Sequence, residues 1–235
     1  GTWDLFRYPG IRSDSDMHTL GYSFKPWAQQ KAIADGSDIL NYVRETAAEY
    51  GVDKYIRYGY TLIKASWESG LARWELTISR VEEEPLIVNC HFLYSCTGYY
   101  RYDSGYMPDF DGVENFCGTL IHPQHWPEDL NYSDKRVIVV GSGATAVTIV
   151  PAMAKKAAHV TMLQRSPSYV VSMPTLDAFS NRIHTWLPKK LAHRLTRLKN
   201  IFQQMLIYYV CKKYPDYAKQ TLRKLVIGQL GHDFD

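Results

Sequence analysis

Residues 136–166, RVIVVGSGATAVTIVPAMAKKAAHVTMLQRS, constrain the fold more than any other stretch of this chain. Val137 to Val140 is an unbroken apolar run, the pattern of a parallel strand buried on both faces. A glycine-rich turn follows, then a helix expected over Ala144–Lys156 and a second strand over His159–Leu163. Parallel strands cannot be joined by a hairpin, so strand, turn, helix and strand in this order imply a βαβ crossover and an α/β fold.

Gly141, Gly143 and Ala146 fit G-x-G-x-x-A in the context that gives the pattern meaning, after a strand and opening a helix. Gly141 permits the tight turn, Gly143 lets a pyrophosphate approach the backbone, and Ala146 lets the helix sit close to the strand. The N–H groups of Ser142, Ala144, Thr145 and Val147 complete the expected phosphate cradle at the positive end of the helix dipole. The bland alternative is a glycine turn used only for packing. At the end of the second strand an NAD site calls for a carboxylate, but Gln164 stands there and Arg165 and Ser166 follow. A guanidinium binds a 2′-phosphate that a carboxylate would repel, so the expected dinucleotide is NADP(H); the alternative is that Arg165 is an ordinary surface charge.

The rest of the chain divides by pattern. Residues 1–30 read as a long loop with short extended pieces, ordered because Trp3, Phe6, Tyr8, Tyr22, Phe24 and Trp27 are too many aromatics for a disordered segment. Ser37–Tyr50 reads as a helix capped by Ser37 or Asp38 and stopped by Gly51. Three alternating runs, 55–67, 73–81 and 86–98, read as an antiparallel meander with turns at ESGLA and EEEP, closing on a buried strand HFLYSCTG. From Leu176 to Leu230 the pattern is helical, split by Pro188 and Pro215 into about three helices. Arg182 to Lys224 carry eleven Lys or Arg against one acid, Asp216. Trp186, Leu187, Leu191, Leu195, Leu198, Phe202 and Leu206 form the expected apolar face. That face either packs on its own protein or lies on anionic lipid.

Net charge is +3, too weak to point to nucleic acid. Four cysteines without a C-x-x-C pair fit a reduced cytoplasmic compartment. The stretch FCGTLIHPQHWP holds His122 and His125, whose spacing across Pro123 matches no metal pattern, so no metal is expected. A histidine in such a turn is read as a structural residue.

Phe116, Gly118, His122, Trp126 and Pro127 fit F-x-G-x-x-x-H-x-x-x-W-P, fourteen residues before Gly141. In that pattern and place the chain resembles the Baeyer–Villiger monooxygenases within the flavin-containing monooxygenases. GTWDLFRYPG, HPQHWPEDL, GSGATAV and LQRSP look most like the ethionamide-activating subgroup. The resemblance implies an FAD- and NADPH-dependent monooxygenase with two Rossmann-like dinucleotide-binding domains, both incomplete here, and an inserted helical region. The expected parts are residues 1–130 (partial FAD domain, meander and linker), 131–174 (NADP βαβ) and 175–235 (basic helices).

The resemblance places Thr2, Trp3, Asp4 and Leu5 where the family wraps FAD, and Leu62 where a strand meets the adenine. Arg12, Ser13 and Asp14 fall near the nicotinamide, with Asp14 by the flavin and supporting a catalytic arginine that would lie beyond Asp235. His122 and Trp126 become linker residues that couple domain movement to NADP binding. The implied chemistry is peroxyflavin oxygen insertion into a ketone, or oxidation of a sulfide, with O2 as co-substrate. The chain is expected to be a piece of a longer protein, holding FAD poorly and turning over little by itself. The rival readings are an N- or S-oxidising flavin monooxygenase, which Trp126 disfavours, and a non-catalytic NADP-binding or membrane-surface module.

Overall fold

The computed structural model describes residues 1–166, 168–170 and 172–231. In chain order the helices and strands are α1 (Thr2–Leu5), α2 (Met17–Leu20), α3 (Gly36–Glu49), β1 (Tyr60–Glu68), β2 (Arg73–Arg80), β3 (Glu83–Cys90), β4 (Arg136–Val140), α4 (Ala144–Met153), β5 (His159–Leu163), α5 (Ala178–Trp186), α6 (Lys189–Lys213) and α7 (Pro215–Leu230). The chain forms two compact units, one of residues 1–42 with 109–235 and one of residues 43–108.

In the first unit, the aromatic-rich N-terminal segment is ordered by its own core. Met17, Trp27, Ala34, Ile39 and Tyr42 are buried together, with Trp3 packed against them. Trp27 meets the Tyr42 ring edge-on at 5.3 Å, and its indole N–H donates to the Lys31 carbonyl at 2.8 Å. The segment is not purely extended: α1 and α2 interrupt it, and Asp16 caps α2 by accepting from the Thr19 N–H at 2.8 Å.

β4 and β5 pair in parallel, Arg136 opposite His159 through Val140 opposite Leu163, with α4 packed on both strands. The βαβ unit is as expected, but two details differ. α4 stops at Met153, short of Lys156, and a turn follows it, with the Ala157 N–H still reaching the Met153 carbonyl. The strands are not buried on both faces: Ile138 is 66% exposed and Leu163 56%. Among the described residues this sheet has only these two strands, and α4 packs on one face, which leaves the other open.

Pro188 and Pro215 do separate three helices, α5, α6 and α7. Helix α6 reverses the expected amphipathic reading. It buries Ala192, His193, Thr196 and Asn200, whereas Leu191, Leu198, Phe202 and Leu206 are exposed. The reason lies in what faces it. Segment 16–21 presents a carboxylate and open helix-end carbonyls, which need donors rather than methyl groups. Asn200 donates to Asp16 at 2.8 Å and Gln204 at 3.3 Å, while Arg197 donates to the carbonyls of His18 (3.3 Å) and Thr19 (2.7 Å). Behind this contact the His18 Nε2 lies 3.2 Å from the Ser180 hydroxyl, to which Thr196 donates at 3.3 Å. Lys199 pairs with Asp177, the cap of α5, at 2.6 Å. The far half of α6, from Phe202 to Tyr209, is exposed.

The second unit is the antiparallel meander β1–β2–β3. Trp67 sits opposite Trp74 and meets it edge-on at 5.4 Å, the cross-strand aromatic pair that favours this register. β1 begins only at Tyr60, because Asp53–Tyr55 forms a helical turn. The second hairpin turns at Val81–Glu82 rather than over Glu82–Pro85; Pro85 is tolerated because β3 is an edge strand. The expected buried strand at 91–98 is absent: the segment is unpaired, with Phe92 and Tyr94 each 78% exposed. An apolar run becomes a strand only against a ladder partner, and the described residues offer it none. The C-terminus of α3 is a Schellman motif, with Gly51 at φ +63 and the Val52 N–H on the Ala47 carbonyl at 2.8 Å.

Candidate functional site

The glycine-rich turn continues directly from the β4–β5 ladder. The Gly141 N–H donates to the Leu163 carbonyl at 2.8 Å, so the turn and the segment Gln164–Ser166 leave the sheet side by side at one edge. Gly141 has φ +133, a conformation that side-chain-bearing residues rarely adopt. Gly143 is the N-cap of α4 and supplies no side-chain acceptor, so the N–H groups of Ala144, Thr145 and Ala146 are left for a ligand; that of Val147, expected in the cradle, instead donates to the Gly143 carbonyl at 3.0 Å and closes the first turn. A Cβ placed on Gly143 would meet no protein atom within 4 Å. The space it would fill lies open before the helix tip, as a phosphate cradle requires. Ala146, Thr148, Ile149 and Met153 form the buried face of α4. Arg165 is exposed, two residues past the end of β5, and makes no ion pair among the described residues.

The N-terminal segment comes to this turn. Thr145 and the Asp14 carboxylate both lie close enough to the Tyr8 phenol to act on it. Burial, outweighing the opposite influence of Thr145 and aided by Asp14, raises Tyr8 above its ordinary pKa. At Gly10, φ +78, an added Cβ would lie 2.9 Å from Ala152 Cβ and 3.0 Å from the Thr148 carbonyl oxygen. Ser13 is 2% exposed and fully engaged: its N–H donates to the Ala34 carbonyl at 2.9 Å and its hydroxyl accepts from the Ala34 N–H at 3.0 Å. The backbone of Arg12 pairs antiparallel with that of Asp35 in an isolated β-bridge, and Asp14 is exposed. The structure thus gathers Tyr8, Asp14 and Thr145 in one neighbourhood, with Ser13 as the segment's anchor.

A cleft of about 290 Å3 opens between α1 and the start of α3, lined by Trp3, Arg7, Ile11, Asp35, Gly36 and Ser37 among others. That is room for one ring system, not a whole dinucleotide. Thr2, Asp4 and Leu5 sit on α1 beside it, with Asp4 3.8 Å from Arg7. Leu62 belongs to the other unit, where it lies on β1 beside a register irregularity and is 43% exposed.

In the FCGTLIHPQHWP stretch, His122 caps a helical turn at Pro123–His125, its Nδ1 accepting from the Gln124 N–H at 3.2 Å. That use of the ring is structural. Among the described residues no group of His, Cys, Asp and Glu could hold a metal. Trp126 meets Tyr132 edge-on at 6.2 Å. Gly118 lies under the Phe116 ring, where a Cβ would come within 2.5 Å of it, which explains why the third position of the pattern is a glycine.

Sequence reasoning missed two groups. Tyr8 and Gly10 carried only the signal of a Pro-Gly turn. The buried His18 and His193 and the half-buried His184 carried none, since His18 and Ser180 are 162 residues apart. The His18 and His184 rings stack at 6.1 Å, and three buried ring nitrogens, His18 Nδ1, His184 Nε2 and His193 Nδ1, lack partners among the described residues. Burial, above all, holds His18 and His193 below the ordinary imidazole value. For His18, Asp16 and Asp177 pull the other way; for His193, Arg197 and His184 add to the depression.

Comparison with known proteins supplies a context for this geometry. The chain is 50% identical over its whole length to the FAD-containing monooxygenase EthA of Mycobacterium tuberculosis, and 49% to EthA of Mycolicibacterium smegmatis. It spans about half the length of these relatives, 48% in each case. Among solved structures it resembles an oxidized steroid monooxygenase bound to NADP, with TM-score 0.68 and 27% identity over 83% of this chain and 36% of the other. It also resembles OTEMO in complex with FAD and NADP, with TM-score 0.61 and 31% identity over 79% of this chain and 37% of the other. The family model described as flavin-binding monooxygenase-like matches residues 21–224, and on that match the chain belongs to the flavin-binding monooxygenase-like family.

Proposed function

We propose that this chain forms the NADP-binding part, and a portion of the FAD-binding part, of a Baeyer–Villiger-type monooxygenase that oxidises a ketone or a sulfide with O2. The observation that carries this reading is the open cradle at Gly141–Val147, with Arg165 leaving the same sheet edge. The first-turn N–H groups of α4, Ala144 to Ala146, would hold the pyrophosphate, and Ser142 would close the turn over it. Arg165 and Ser166 would hold the 2′-phosphate. The residues thus fit the dinucleotide. Bound there, NADPH supplies hydride and a reduced flavin supplies activated oxygen, which is chemistry no side chain here possesses.

What the chain does is position. Ser13 ties the Arg12–Asp14 segment to residue 34, so the Asp14 charge is presented at a defined place near the expected flavin. Trp3 in its cleft offers a surface for one ring of FAD, and Leu62 on β1 is the expected adenine contact. His122 and Trp126 brace the linker that precedes β4. The three-part division at residues 130 and 174 follows this division of cofactors.

Titration of the 235-residue chain with NADP+ and NAD+ tests the reading. A preference of about tenfold or more for NADP+ is expected, lost in Arg165→Ala, since a charge-assisted hydrogen bond contributes about 1.5–3 kcal/mol. Equal affinities in the unsubstituted chain would sink it. Product analysis with a ketone and a thioether, on protein that retains flavin, separates oxygen insertion from sulfoxidation.

A second reading concerns α6. Its exposed Leu198, Phe202 and Leu206, with the exposed Trp186 before it and Lys212 and Lys213 in its last turn, favour contact with an anionic lipid surface. No helix among the described residues is long and apolar enough to cross a membrane. Vesicle sedimentation that salt does not weaken argues against this contact.

A further inference from the structure

We infer that the contact of α2 with α5 and α6 is a pH-sensitive clasp, closed while His18 and His193 are neutral and opened when they take up protons. The inference does not depend on the NADP reading.

Three imidazoles meet at this contact. The His18 Nε2 lies 3.2 Å from the Ser180 hydroxyl of α5, to which Thr196 of α6 donates at 3.3 Å. Ser180 stands early in α5 and Thr196 well inside α6, so the two helices double back on each other about the link at Leu187 and Pro188. His184 lies one turn after Ser180 and His193 one turn before Thr196, both toward that link. They therefore come to the same level of the helix pair. His18 closes the group from α2, its ring stacked on that of His184 at 6.1 Å.

The surroundings of His18 and His193 favour neutral rings. An imidazolium has an N–H on both nitrogens and needs two acceptors, whereas a neutral ring needs one. The Nδ1 atoms of His18 and His193 are buried and meet no acceptor among the described residues; neither does the His184 Nε2 between them. Charging either ring therefore leaves a buried N–H unpaired on a cation, the costliest form of unsatisfied group. Neighbouring charges do not offset this. From the segment before α2, Asp16 already accepts from Thr19, Asn200 and Gln204. At the cap of α5, Asp177 is held by Lys199 and the Ser180 N–H. On α6, Arg197 donates to the carbonyls of His18 and Thr19, so Arg197 and Lys199 balance the two carboxylates. A proton gained is thus an uncompensated charge beside a guanidinium and a second imidazole. Opening the contact exposes both rings to water, where they charge at the ordinary value of 6.5. Low pH therefore favours the open form. The bonds named here join only residues 16–21, α5, its cap and the first half of α6, so the clasp can open without unpairing β4 from β5 or the meander strands from one another.

The test is native-state hydrogen exchange by mass spectrometry on the 235-residue chain, at pH 7.5 and pH 5.5 (about one unit either side of the ordinary imidazole value), corrected for the intrinsic exchange rate at each pH. Peptides 14–22, 176–187 and 189–205 report the clasp, and 60–80 and 136–153 are controls. At the lower pH each ring favours the open form by up to about tenfold, so opening of the three clasp peptides is expected to rise by up to about a hundredfold, with little change in the controls. The ratio between the two pH values is expected to fall to about tenfold in His193→Leu and to about one in His18→Gln with His193→Leu, whatever the absolute stability of these variants. Should a variant fail to fold, the unsubstituted chain decides by its histidine ring resonances. Two rings that exchange slowly between a neutral and a charged form below the ordinary value support the clasp, and rings that all titrate in fast exchange overturn it. Equal acceleration in clasp and control peptides overturns a local clasp in favour of global unfolding. An unchanged ratio in the double variant, or no acceleration in the unsubstituted chain, overturns the role of the two histidines.

Discussion

Asp16 is the point at which the N-terminal segment and α6 are joined, and replacing it by alanine gives a sharp test of that junction. One carboxylate oxygen accepts from the Thr19 N–H (2.8 Å), the Thr19 hydroxyl (3.0 Å) and the Asn200 amide (2.8 Å); the other accepts from Gln204 at 3.3 Å. Loss of the helix cap costs about 1 kcal/mol. Asn200 is 6% exposed, so Asp16→Ala leaves a buried amide without its charged acceptor, at a further cost of about 2 kcal/mol. The exposed Gln204 bond adds little. The sum, about 3 kcal/mol, corresponds to roughly a hundredfold greater local opening. Native-state hydrogen exchange, followed by mass spectrometry on peptides covering 14–22 and 189–205, reads this directly. Exchange should accelerate about a hundredfold in both peptides in Asp16→Ala, and by less in Asp16→Asn, which keeps a cap acceptor. Unchanged exchange in the 189–205 peptide would show that Asp16 does not hold α6, and would refute the account of why this helix buries its polar face.

Acidification should loosen the same junction. His18 and His193 have depressed pKa values, so the folded state binds fewer protons than the unfolded one. Their contribution is therefore complete above the ordinary value of 6.5 and falls as pH drops below it. At Asp177 burial works to raise the carboxyl, but Lys199 and the Ser180 N–H hold it below its ordinary 3.8, so it adds a loss only in more acid solution. Urea midpoints, followed by tryptophan fluorescence, should decline from pH 7.5 to pH 5 (about one and a half units below the ordinary imidazole value); a flat profile contradicts the buried neutral histidines. Gly10→Ala should destabilise by about 2–3 kcal/mol, combining a left-handed backbone with the clash on α4. Gly143→Ala, whose Cβ enters open space, should change stability by less than about 0.5 kcal/mol yet weaken NADP+ binding. The reverse ranking in thermal melts and titrations would mean that the two glycines have exchanged roles.

What the sequence disclosed was what depends on neighbours in the chain. The βαβ unit was legible because strand period, glycine spacing and helix start all act within some thirty residues, from Arg136 to Ser166. The ends of α5, α6 and α7 were legible because proline acts locally. Arg165 could be placed by counting past β5, and the parallel register gives it the expected sheet edge. Residues 91–98 misled because an apolar run states a preference for burial without naming a partner strand. Helix α6 misled in the same way. Its leucines mark an apolar face, but the side that is buried was decided by Asp16 and the carbonyls of His18 and Thr19, some 180 residues earlier. The N-terminal segment lies against Thr148 and Ala152 of α4 only because Gly10 lets the two approach, and no local rule reports such a contact.

Helix α6 is also a lever. Its near half is clasped at His193, Thr196 and Asn200, and its far half runs free of that clasp to Lys213, where α7 packs against it. Thr196 to Lys213 spans about 25 Å at 1.5 Å per residue, so a tilt of about 10° at the clasp carries Lys213 through about 4 Å. Any tilt at the clasp would therefore be magnified along a stiff rod at the lysine- and tyrosine-rich tip, residues 208–213.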